Sequence, residues 1–357
     1  MKNGSLYLFV FLLIFSCKKP EDDQPLTPII EDLNYQFKGV FVLSEGTWQQ
    51  NNASLNYFDF TKKEVTENYF SQKTGRQLGD VGNDMLYVNH TLFMLINGSN
   101  TLEKLDTKTG ETKQLRIVNF QNTGRQPRQL FLATSGDLFI TSFDDFVSIV
   151  DTLSLTVKKI LRVGRDPEGL VVVGNKLFVA NSGGLDFPNY ESTVSVIDIT
   201  KYTSIDTLQV GLNPGSINLD NYGNMYVRCR GNYDEIKPSI HIINTNTHET
   251  ESVWNYASLG LQVVGDTIFV VNENTLTVEL LDTQTRSLIK SGLVDISSFQ
   301  TISAFHVDPI SKLIFIADGL DYISRGKVYA YDYNGKEQFH FDAGVIPGSI
   351  AVEYEGK

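Results

Sequence analysis

The chain has 357 residues, of which 41% are hydrophobic and 11% aromatic, with 28 glycines, 2 cysteines and a formal net charge of −12. That acidic balance leaves no basic surplus to neutralise phosphates, which argues against nucleic acid as a partner. Apart from Cys17 the only cysteine is Cys229, so the expected mature chain has no internal disulfide.

Residues 1–16 read as a leader and not as part of the fold. Lys2 supplies a positive n-region, Leu6 to Phe15 an apolar h-region, and Ile14-Phe15-Ser16-Cys17 places a small residue just before a cysteine. The apolar run falls short of the roughly 20 residues that a spanning helix needs, so an export signal is expected. Those last four residues resemble a bacterial lipobox. The resemblance implies cleavage before Cys17 and lipidation of Cys17, which would anchor the domain to a membrane through lipid alone. The alternative is an ordinary signal peptide with an incidental cysteine. Residues 17–34 (CKKPEDDQPLTPIIEDLN) are Pro- and acid-rich without periodicity and read as an extended tether. Lys18 and Lys19 followed by Glu21, Asp22 and Asp23 resemble the surface-export signal of Bacteroidetes lipoproteins, although Pro20 interrupts it. That resemblance implies an outer-membrane lipoprotein exposed at the cell surface, with a periplasmic linker as the alternative.

From Tyr35 the pattern changes to alternating runs bounded by Gly, Asn, Pro and Asp, the signature of strands and hairpins. VFVLSEG (40–46), ASLNYFD (53–59) and VTENYF (65–70) supply three strands of a first unit. A complete unit is clearest at 192–229, STVSVIDITKYTSIDTLQVGLNPGSINLDNYGNMYVRC, four strands in one meander with a Gly/Pro corner between the second and the third. The unit recurs. Its third strand ends at Asp59, Asp106, Asp151, Asp198, Asn244, Asp282 and Asp332, with spacings of 47, 45, 47, 46, 38 and 50 residues. A four-stranded period in the forties marks a propeller blade, and seven anchors predict an all-β, single seven-bladed β-propeller over 35–357 with antiparallel blades. The anchoring Asp or Asn is expected to bond the backbone of its own turn. PGSIAVEY (347–354) matches the innermost strand that the first unit lacks, so the C-terminal strand is expected to join the N-terminal blade and close the ring.

Loop lengths carry the functional reading. Turns such as Asn89-His90 and Gly174-Asn175 are short, and so are TKTGE and YNGKE; all of these fall on one face of the disc. The opposite face receives SEGTWQQNNA (44–53), SGGLDFPNYES (182–192), RGNYDEIKPS (230–239) and DGLDYISRG (318–326). Variable aromatic loops on a rigid scaffold are where binding resides. Trp48, Phe187, Tyr190, Tyr233 and Tyr322 are therefore the aromatic ligand-binding candidates, and Arg76, Arg125, Arg128, Arg165, Arg230 and Arg325 the cationic ones. The structural alternative is that some of them only pack the loops down. His90, His241, His248, His306 and His340 are scattered without metal-site spacing, and no G-x-S-x-G elbow is present, so neither a catalytic nor a metal residue is assigned.

The corners GRDPEGL (164–170), GLNPGSI (211–217) and GVIPGSI (344–350), each followed by a strand, resemble YVTN-repeat (YncE-like) propellers. The opening VFVLSEGTWQQNNASLNYFD, behind the lipobox and acidic tether, is similar to surface lipoproteins of gut Bacteroidetes. That branch includes seven-bladed propellers which capture cobalamin and hand it to a TonB-dependent outer-membrane transporter. The resemblance implies a non-catalytic capture module with cobalamin (a corrinoid) as transported ligand, no cofactor, and such a transporter as partner. The alternative from another class is an interaction scaffold or a lyase-like enzyme acting on surface glycans or peptides.

Overall fold

The computed structural model describes residues 35–116 and 126–356; the segments expected to be leader (1–16) and tether (17–34, with Cys17), and Arg125, lie outside the described residues. The described chain folds into seven four-stranded antiparallel sheets, the blades of a seven-bladed propeller. Blades 2 to 7 are sequential meanders over 82–116, 127–162, 167–209, 214–254, 258–295 and 302–345. Blade 1 takes Tyr35–Ser44, Ser54–Asp59 and Glu64–Thr66 from the start of the fold and its innermost strand, Pro347–Gly356, from the far end. The two ends pair from Tyr35 opposite Gly356 to Ser44 opposite Pro347. The expected closure is present.

The turn chemistry holds at all seven anchors. The Asp106 carboxylate accepts from the Lys108 and Thr109 backbone N–H groups at 2.9 and 2.8 Å, and Asp282 from Gln284 and Thr285 at 3.1 and 2.7 Å. Asp59, Asp151 and Asp198 repeat the arrangement, Asn244 does so with its amide oxygen, and Asp332 accepts from Asn334 and Lys336. A short acceptor there saves two backbone donors from going unpaired.

Between blades the sheets pack face to face, and the core is divided accordingly into seven clusters. Phe41, Leu55, Leu92 and Met94 fill the seam of blades 1 and 2, Phe178, Val196, Met225 and Val227 that of blades 4 and 5. The closing seam of blades 7 and 1 is rich in phenylalanine. Phe58 stacks on Phe341 at 4.6 Å and on Phe339 at 5.0 Å, and Phe37 and Phe60 pack beside them. Each large apolar side chain withdrawn from water there contributes roughly 2 kcal/mol towards holding the ring closed.

The corner motif has a steric cause. Inner strands of adjacent blades converge on the central channel, and at blades 4 and 5 they meet backbone to backbone. A Cβ on Gly169 would stand 2.4 Å from the Gly215 carbonyl oxygen. Each corner also carries a register shift, as between Pro167 and Leu170 and between Pro214 and Ile217, which bends the chain into the channel wall.

One element differs from expectation. VTENYF does not continue as the outer strand of blade 1: the strand ends at Thr66, and Tyr69–Thr74 is a short helix closed by Gly75. The Asn56 side-chain oxygen takes the Asn68 N–H at 3.1 Å, diverting the chain from the ladder, and Phe70 is then buried under the fold. The side chain of Arg76 lies over its ring, 4.7 Å from the centroid.

Candidate functional site

Strand direction alternates within each blade, so the loops between second and third strands and the blade-to-blade corners share one face. The four long loops therefore rise together, as expected. Phe187, Tyr233, Tyr322 and Trp48 are 71%, 70%, 58% and 49% exposed, which leaves their rings available for contact. They do not form one surface. Phe187 meets Tyr190 edge-on at 6.0 Å, and Tyr190 meets Tyr233 at 6.2 Å, so blades 4 and 5 jointly carry an aromatic ledge. Trp48 and Tyr322 stand on blades 1 and 7, with no ring contact to the ledge among the described residues.

Three of the arginine candidates hold loops in place. Arg165 donates from Nε to Glu191 at 2.8 Å and from Nη2 to the Asn189 carbonyl at 2.9 Å, and also pairs with Asp186, fastening the 182–192 loop. Arg76 pairs with buried Glu103, and Arg325 bridges Glu67 at 2.8 Å and the Ala343 carbonyl at 3.0 Å.

Two further candidates, Arg128 and Arg230, converge at the mouth of the channel. Glu168, in the Pro-Glu-Gly corner of blade 4, is buried. Arg128 of blade 3 approaches its carboxylate at 3.2–3.3 Å, and Arg230 of blade 5 lies 3.7 Å away. Burial alone would push the Glu168 carboxyl up, but Arg128, then Arg230, hold it below the ordinary glutamate range. Arg128 also donates to Asn83 at 2.6 Å, and its guanidinium lies over the Phe143 ring. Arg230 donates to Asn213 Oδ1 at 3.2 Å, and the Asn213 amide reaches the Tyr233 hydroxyl at 3.5 Å, linking the ledge to the arginines. Beside them stands Arg228, which the sequence pattern places inside the strand YVRC and does not mark as a binding residue. Its Nε donates to the Ser258 carbonyl at 2.8 Å, and burial, reinforced by Arg230, pushes its pKa down to about 10.

Across the ring, a cavity of about 420 Å³ is lined by the inner strands of blades 1, 2 and 7, with Asp84 and Ser349 towards the loop face and His306 and Asp308 towards the other. Burial pushes Asp84 up to about 6 and His306 down from its usual value. This cavity and the aromatic ledge thus occupy different sectors. The ledge offers exposed rings beside convergent cations, and the cavity a concave space with a shifted carboxyl and imidazole. No group of three or more His, Cys, Asp or Glu among the described residues is placed to hold a metal ion.

A family model described as "Domain of unknown function (DUF5074)" matches residues 38–287. The chain belongs to the DUF5074 family. Among solved structures, the DUF5074 chain is similar to a quinonprotein alcohol dehydrogenase-like protein from Bacteroides thetaiotaomicron, with 16% identity and a TM-score of 0.65 over 88% of this chain and 78% of that one. Hydrazine synthase from Kuenenia stuttgartiensis gives 15% identity and a TM-score of 0.61 over 77% and 95%, respectively. A protein from Lactobacillus plantarum gives 12% and 0.63 over 89% and 100%. At these identities the likeness extends to the fold alone, that of a β-propeller. No curated protein sequence matches this DUF5074 member.

Proposed function

We propose that this protein is a non-catalytic capture module that binds a small-molecule nutrient on its loop face. The observation that carries the reading is the Phe187–Tyr190–Tyr233 ledge, two blades wide and continuous with Arg230 through Asn213. Rigid aromatic faces provide contact area at little entropic cost, and guanidinium groups meet amide and phosphate oxygens. A closed ring gives up little freedom on binding, which favours affinity. The sequence resemblance to surface lipoproteins makes cobalamin the ligand to test, with lipid on Cys17 as anchor and a TonB-dependent transporter as recipient.

Isothermal titration with cyanocobalamin tests it directly. Micromolar or tighter binding is expected, weakened about tenfold by Tyr233→Ala, the equivalent of about 1.4 kcal/mol. No heat and no co-elution at micromolar protein would exclude cobalamin. Binding unaffected by Tyr190→Ala and Tyr233→Ala would remove the ledge from the site.

A further inference from the structure

Arg228 is set apart from the other described arginines by its surroundings. Arg76 faces Glu103, Arg128 and Arg230 share Glu168, Arg165 faces Asp186 and Glu191, Arg286 faces Glu251, and Arg325 faces Glu67. Arg116 and Arg162 are exposed and solvated. Arg228 makes no ion pair and is half-buried: it lies on the second strand of blade 5, Asn224–Cys229, on the face opposite the core residues Val227 and Cys229. Its Nε is taken by the Ser258 carbonyl, while its two terminal nitrogens have no hydrogen-bonding or ion-pair partner among the described residues.

The surrounding charge sharpens the problem. The carboxylate that serves this sector, that of Glu168, is already engaged by Arg128 and lies next to Arg230. Arg128, Arg230 and Arg228 thus gather around Glu168, and Arg128 alone also lies near the carboxyls of Glu45 and Asp84, which leaves Arg228 and Arg230 with Glu168 as their shared carboxylate. A half-buried guanidinium whose terminal N–H groups are unpaired is a ready donor of charge-assisted hydrogen bonds to an anion. Two further features shape the place. A Cβ on Gly215 would stand 2.7 Å from Arg230 Cζ, so the bare glycine lets that guanidinium lie against the inner strand. Tyr233, held at 3.5 Å by Asn213, brings a hydroxyl to the same corner.

We infer that Arg228 and Arg230, with the Tyr233 hydroxyl, form an oxyanion site that receives a phosphate or carboxylate group of the bound molecule. The ledge takes the flat part of that molecule and the arginine pair its negative group. The biological ligand depends on the capture reading; the anion site itself does not.

Thermal unfolding of the full chain at pH 7 in inorganic phosphate, acetate or chloride at equal ionic strength tests the site without any nutrient. Phosphate or acetate is expected to raise the midpoint saturably by about 2–4 °C over chloride at a hundredfold excess over Kd. Arg228→Gln is expected to abolish the increment, and Arg116→Gln, at an exposed position, to preserve it. A response to phosphate alone assigns a phosphoryl group, and one to acetate as well assigns any compact oxyanion. Should Arg228→Gln fail to fold, isothermal titration of phosphate into the unaltered chain and into Arg228→Lys answers the same question, a loss of at least tenfold being expected. No anion effect beyond chloride, or an equal effect in Arg228→Gln, overturns the proposal. The outcome is independent of cobalamin: phosphate binding without cobalamin binding defeats only the choice of nutrient, and the converse defeats only the anion site.

Discussion

Asp84, on the inner strand of blade 2, shows how the channel sets the behaviour of a single residue. Its carboxyl accepts from the Leu130 and Met85 N–H groups and the Ser349 hydroxyl at 3.0, 2.8 and 3.3 Å, yet burial dominates and pushes it up to about 6. An unfolded chain releases the same proton near pH 3.9, so Asp84 favours the fold below about pH 4 and ceases to do so as pH rises through 6. Asp84→Asn should therefore lose less stability between pH 4 and pH 7 than the unaltered protein, the difference reaching roughly 1–3 kcal/mol. Urea midpoints at pH 4, 5.5 and 7 measure it, and parallel curves would contradict it. At this scale the sequence is a poor guide to the site. Arg230 and Arg228 sit two residues apart, yet only Arg230 falls in a loop, and a charge inside a strand reads as an ordinary solvent-facing position until its neighbours are known. Arg165 is the opposite case. Its corner position suggests ligand contact, and the structure shows three bonds to the neighbouring loop.

The turn that ends each third strand is the element that makes the fold legible. An acceptor two residues ahead of its donors is a local device, so it can be read locally, and its recurrence counts the blades. Asn244 allows a direct test. Asn244→Ala leaves the Asn246 and Thr247 N–H groups without their acceptor and should cost about 1 kcal/mol. Asn244→Asp keeps the two backbone bonds at pH 7, as Asp does in the other blades, and should cost only a few tenths of a kcal/mol there, from losing the exposed amide bond to Glu251 at 3.3 Å. It should fall further behind the unaltered protein as pH drops below about 4, because the backbone donors that hold carboxyls such as Asp106 low stabilise only the charged form. Chemical denaturation of both variants at pH 7 and pH 3 decides this. The helix at Tyr69–Thr74 is not legible for the complementary reason. Alternation in VTENYF fits a strand, and what diverts it is Asn56, a residue of the neighbouring strand that no local pattern reveals. The division of the aromatics into a ledge and two outlying rings is equally hidden, because it depends on which blades are neighbours.

For the molecule as a whole, closure is the decisive contact. The innermost strand of blade 1 comes from Pro347–Gly356, and the backbone bonds from Glu45 to Ile346 and Gly46 to Val345, at 2.8 and 3.0 Å, extend the seam past the strands. Removing residues 346–354 should abolish the cooperative unfolding transition, because it uncovers the inner edge of Tyr35–Ser44 and strips one wall from two core clusters. Calorimetry of the truncated chain checks it, and a melt like that of the full chain would show that the ring does not need this strand. The same pairing also fixes an orientation. Tyr35 opposes Gly356 at the short-turn side of the disc, and Ser44 opens directly into the long loop that carries Trp48. Whatever lies upstream of Tyr35 therefore attaches at the back, so a pull from that direction would hold the protein like a dish on its stem, with the tyrosines turned outward.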